Sequence, residues 1–231
     1  MIKTISMAHL DSEINEIKSE LGLMWELVNS QLEKTLHSLS KFDKDMALEV
    51  QENEKRVNAY EINIDKHCED FLALYQPVAT DLRFVLSTLK INTNLERIAD
   101  IACGISEFIS DVDTHFNPGI LEHMSVLKML AISVEMVKDL KEAYQYENTS
   151  LARTLFKRDK LLDEINDKAS QLAMECLDLY RDQRKHVLHV LSVIRKIERI
   201  GDQSKNIAEE IIFYLDAKVI KHHKKQSEGD K

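Results

Sequence analysis

Apolar residues recur along this chain at three- and four-residue intervals, and long runs of the pattern predict helices. Ile14, Ile17, Leu21, Met24 and Val28, continued by Leu32, Leu36 and Leu39, form one stripe of an amphipathic helix over about 11–39. "KFDKD" (41–45) then makes a turn, with Asp43 in position to cap the next helix. A second segment, about 45–75, buries Val50, Val57, Ile64, Phe71 and Leu74 and ends before Pro77. Thr80 caps a third, about 81–110, with Leu82, Val85, Leu89, Leu95, Ile98, Ala102, Ile105 and Ile109 inward. "SDVDTHFNPG" (110–119) gathers Ser, Asp, Asn, Pro and Gly into a clear loop. Three more helices follow over about 119–146, 148–180 and 184–216. Leu127, Leu130, Val134, Val137 and Tyr144 mark the first of these. Leu155, Leu162, Ile165, Ala169, Leu172 and Cys176 mark the second. Leu188, Leu191, Ile194, Ile197, Ile207, Ile211 and Leu215 mark the third.

The pattern is written twice. "LERIAD" (95–100) returns as "IERIGD" (197–202), so Glu96 and Glu198 stand 102 residues apart. "EKRVN" (54–58) aligns with "DKLLD" (159–163), and "LALY" (72–75) with "LDLY" (177–180), both at an offset of 105. The three-residue difference falls in a turn, where length changes are tolerated. Short connections favour antiparallel neighbours. The expected fold is therefore all-α, with six long helices in two pseudo-symmetric three-helix bundles. The expected division is 1–112, 113–217 and a polar, disordered tail over 218–231.

Composition agrees with long helices: five Gly and two Pro in 231 residues, with 44% hydrophobic and 31% charged residues. The net charge of −9 argues against a nucleic-acid binder, which needs a basic face. Divalent cations and basic protein surfaces suit it better. Cys68, Cys103 and Cys176 are odd in number and form no CxxC, which fits a reducing compartment and small core residues. No run has the length of a signal peptide or a membrane span, so a soluble, intracellular protein is expected.

The repeated hexapeptide places two acids four residues apart, on one side of a helix. Like charges at this spacing cost an isolated helix roughly 0.2–0.5 kcal/mol. Glu96–Asp100 and Glu198–Asp202 are such pairs. Each has an upstream partner set, Glu54 and Asn58 (with Glu61 and Asp65 continuing the stripe) in the first half and Asp159 and Asp163 in the second. If the second and third helices of each half pack antiparallel, the sets face each other as oxygen-rich clusters suited to Mg, Mn or Fe. Against this stands a plain reading, in which the acids form a solvated face and Arg97 and Arg199 pair with neighbouring helices. Two copies in matching contexts favour the metal reading.

Enzyme signatures are missing. No His has Glu three residues before it, and there is no HExxH or phosphate-binding Gly-rich loop. His186 and His189, beside Lys185, read as a solvated face near a turn rather than a metal pair. "KHHKK" (221–225) reads as an inert basic tail.

"QPVATDLRFVLSTLKINTNLERIADIACGI" (76–105) and "IERIGDQSKNIAEEIIFYL" (197–215) resemble the PhoU family, over roughly 20–216. The resemblance implies two related three-helix bundles in a cytoplasmic, often dimeric protein. It implies a negative regulator of the phosphate-starvation response that links the ATPase of the Pst phosphate transporter to a PhoR-type sensor kinase and modulates phosphate uptake. It also implies metal ions, Mg, Mn, Fe or Zn, at E/DxxxD motifs. These fall on Glu96–Asp100, Glu198–Asp202 and Asp159–Asp163, with Glu54–Asn58 as the remaining match. Two departures stand out. Asn58 replaces a carboxylate, and the second half lacks the QPxAxDLR turn, leaving Asp81 and Arg83 as partner-contact candidates in the first half alone. A metal-dependent hydrolase and a purely structural helical scaffold are the competing functions.

Overall fold

The computed structural model describes residues 7–219. It contains α1 (Met7–Lys41), α2 (Lys44–Tyr75), α3 (Ala79–Asp111), α4 (Pro118–His123), α5 (Val126–Gln145), α6 (Thr149–Leu179) and α7 (Arg184–Asp216), with a short 3-10 turn at Arg181–Gln183 before α7. No strand occurs among the described residues. The tail from residue 220 onward, including "KHHKK", lies outside them.

The helix ends follow local chemistry. Asp43 caps α2, its side chain accepting from the Met46 N–H. Gln76 ends α2 in the left-handed region (φ 47°), and Pro77 follows. α3 begins differently from expectation. Its cap is Val78, with no side-chain hydrogen bond, while Thr80 lies inside the helix and accepts from the Arg83 guanidinium (3.2 Å).

The expected fourth helix is two. Asn117 caps α4, and the chain turns at Ser125 (φ 55°) before α5 begins. Ile120, Leu121, Met124 and Val126 are all buried. On one straight helix, at 3.6 residues per turn, Val126 would point roughly opposite to the other three. Breaking the helix buries all four.

α1, α2 and α3 pack on one another, as do α5, α6 and α7, and α3·α7 and α1·α5 contacts join the two sets. Gln31 donates to the Val50 carbonyl and Lys44 to the Ser110 carbonyl, so α1–α2 and α2–α3 are antiparallel. Arg195–Ser170 and Arg153–Asp216 contacts give α6 and α7 the same relation. Both sets share a single buried core around Trp25, Phe71, Phe84, Leu95 and Ile98 from the first half, with Val137, Ile194, Ile197 and Ile207 from the second. The apolar stripes are buried or half-buried with three exceptions: Leu74, Leu82 and Leu188 are exposed. Leu74 and Leu82 flank the α2–α3 turn and Leu188 lies near the start of α7, each on the outer face of its helix beside buried neighbours such as Phe71, Phe84 and Val187. The three cysteines are buried and free, as expected of small core residues.

Candidate site with two carboxylate clusters

Antiparallel pairing brings the upstream acids against the hexapeptides in both halves. In the first half, α2 carries Glu54, Asn58, Glu61 and Asp65, and α3 carries Glu96, Asp100 and Cys103. The Cys103 thiol donates to Glu54 (3.6 Å), and Asn92 donates to Asp65 and to the Glu61 carbonyl (2.9 Å each). Glu96 is half-buried and its carboxyl is pushed up, first by burial, then by repulsion from Glu61 and Asp100, with Arg97 partly opposing. Glu61 is raised in the same way, by burial and then by Asp65. The Cys103 thiol is pushed up to about 12 by burial and by Glu54 and Glu107.

The second half repeats the helix pairing with a different balance of charges. α6 carries Asp159 and Asp163, and α7 carries Glu198 and Asp202. Glu198 is raised by burial, then by Asp202, Asp163 and Asp159. Asp163 is raised by burial and by Asp159. Here the acids are answered: the Lys205 ammonium lies 2.9 Å from Asp159 Oδ2 and 2.9 Å from Asp202 Oδ1. Asp159 is buried, so without this partner its charge would be costly to hold. Lys205 stands three residues after Asp202, on the same helix face, so i,i+3 spacing alone could have revealed it.

Gly201 sits where the first half has Ala99. A Cβ there would stand 2.8 Å from Leu162 Cδ1 and 3.2 Å from Asp159 Oδ1. The glycine therefore lets α6 approach α7 closely at the point where Asp159 meets Lys205.

The donor chemistry of the first half, five carboxylates, an amide and a neutral thiol, suits a hard or borderline divalent cation. The second half does not suit one in this arrangement, because an ammonium already stands between its acids. Among the described residues, no three His, Cys, Asp or Glu side chains are drawn together closely enough to hold a metal as they stand.

The other singled-out residues lie elsewhere. His186 is not solvated. It is buried against Phe116, with Nε2 3.4 Å from the Thr114 hydroxyl, and burial pushes its pKa down. His189 packs on Phe108 and lies 4.0 Å from Asp111. Arg83 bridges Thr80 and the Tyr214 carbonyl (3.5 Å), fixing the α2–α3 turn to the end of α7. No helix among the described residues is long and apolar enough to cross a membrane.

The PhoU domain family matches residues 21–109 and again 126–211, one copy in each half. The chain is 28% identical over 221 residues to the phosphate-specific transport system accessory protein PhoU homolog 1 of Thermotoga maritima, covering 94% of this chain and 93% of that protein. It is 31% identical over 232 residues to the accessory protein PhoU homolog of Pseudomonas putida, covering 96% and 88%. The crystal structure of PhoU from Pseudomonas aeruginosa superposes with a TM-score of 0.84 at 27% identity, covering 90% of this chain and 99% of that one. With both halves matched and the fold shared over 90% of the chain, the chain belongs to the PhoU family.

Proposed function

We propose that this protein is a negative regulator of the phosphate-starvation response. It works in the cytoplasm as a homodimer of two-repeat chains (1–112 and 113–217). It associates with the ATPase subunit of a phosphate-specific transporter, modulates phosphate uptake, and passes the phosphate-replete state to a PhoR-type sensor kinase. The observation that carries this reading is the double PhoU match, since relatives aligned over nearly their full length bear the name of phosphate-transport accessory proteins. The first carboxylate cluster is a cation site within that role, while Asp159, Asp163, Glu198 and Asp202 of the second surround the Lys205 ammonium. Glu54, Asn58, Glu96 and Asp100 form the first, where burial and then repulsion from Glu61 and Asp100 raise the Glu96 carboxyl, and a cation such as Mg, Mn, Fe or Zn would offset that repulsion.

A hydrolase on the same carboxylates finds less support. The nearby thiol, Cys103, stays protonated at neutral pH with its pKa near 12. The histidines His186 and His189 are engaged with aromatic rings more than two helical turns before Glu198.

Deleting the gene tests the regulatory role. Phosphate-starvation genes are expected to switch on in phosphate-rich medium. Unchanged expression would remove the proposal.

A further inference from the structure

The two clusters are built alike but are not balanced alike. The repeat offsets place Glu54 opposite Asp159, Glu96 opposite Glu198, Asp100 opposite Asp202 and Cys103 opposite Lys205. At that last position the first half offers a neutral thiol to Glu54, and the second offers an ammonium held by Asp159 and Asp202. An ammonium equidistant from carboxylates of two helices does what a divalent cation does in an oxygen cluster: it offsets their repulsion and ties the helices together. It adds one positive charge and three donors, and its stem comes from α7 itself, so it cannot diffuse away.

We propose that Lys205 is the resident cation of the second cluster, so that this half is held by its own side chain and a divalent ion enters only when that lysine is removed. The first half, with Cys103 at the matching position, then carries the chain's metal requirement alone. This rests on reading the clusters as cation sites. It adds that the two halves are functionally unequal.

The test is the number of Mn2+ ions bound per chain, measured by equilibrium dialysis on the full chain. Lys205→Met keeps the length of the stem and removes the charge. It is expected to bind one more Mn2+ per chain than wild type, and adding Asp159→Asn is expected to abolish the gain. An unchanged, non-zero number would overturn the proposal while leaving the first cluster as a cation site. No Mn2+ bound by either protein would overturn the cation-site reading and the proposal with it. A second comparison keeps Lys205 in place and does not depend on that variant folding. Glu96→Gln is expected to lower the Mn2+ number, and Glu198→Gln to leave it unchanged. Loss of an ion on Glu198→Gln would show metal in the second cluster beside Lys205 and overturn the proposal.

Discussion

Asn206 on α7 donates to Asn94 on α3 across the junction of the two halves, at 3.4 Å. The 102-residue repeat carries Asn94 onto Lys196 and Gly104 onto Asn206, and Lys196 does lie against Gly104, its ammonium 2.6 Å from where a Cβ would stand. One contact is the repeat-related mate of the other. Two helices that cross antiparallel and are related by a two-fold must make their contacts in such pairs. The duplication in the sequence is therefore also a symmetry of the junction. Lys90–Glu210 (3.3 Å) and the Phe84–Tyr214 ring contact extend the same helix pair toward one end, and Phe108–His189 extends it toward the other.

The asparagine pair predicts measurable coupling between the halves. Asn94 is buried and also donates to the Lys90 carbonyl, so Asn94→Ala removes two contacts and costs about 1–2 kcal/mol. A double-mutant cycle with Asn206→Ala, read by urea unfolding, is expected to give an interaction of about 0.5 kcal/mol. Strict additivity would mean that the pair carries no energy.

Trp25 predicts a second link. Its indole N–H donates to the Val137 carbonyl at 3.1 Å and ties α1 to α5, with no side-chain exposure. Trp25→Phe keeps an aromatic ring and loses the donor and some volume. It is expected to cost about 1–2 kcal/mol in urea unfolding. A variant as stable as wild type would contradict this anchoring.

His67 predicts a pH dependence. It lies between Glu20 (3.0 Å) and Glu13 (3.2 Å), bridging α2 to α1. Burial pushes its pKa down, but hydrogen bonds to Glu20 and then Glu13 push it up further, leaving it above its ordinary 6.5. A histidine raised on folding stabilises most when protonated in both states. The benefit is full below about 6.5 and is lost as pH rises through the raised value. Wild type should therefore lose Tm relative to His67→Gln as pH rises from below 6.5 through the raised value. Identical pH profiles would contradict it.

Much of this was legible in the sequence because it is periodic. Stripes such as Val50, Val57, Ile64 and Phe71 gave the helices, and an antiparallel pairing sufficed to bring Glu54 to the hexapeptide. What was not legible depends on tertiary context. The break at Ser125 arises because Val126 must bury alongside Ile120, and no single-helix pattern states that. Leu74 and Leu82 keep the helical period yet stay exposed, beside the buried Phe71 and Phe84, because which side of a stripe is covered is set by neighbouring helices. Lys205 was readable in principle at i+3 from Asp202, but its meaning required Asp159 from another helix to complete the ammonium's shell.

The most direct measurement is expression of a phosphate-starvation reporter in phosphate-rich medium, in cells whose own copy is deleted and replaced. Wild type is expected to hold the reporter off. A folded Glu96→Gln/Asp100→Asn variant is expected to leave it on at the level of the deletion. Equal repression by the variant would contradict a regulatory role for the first carboxylate cluster, and no repression by wild type would contradict the regulatory function itself.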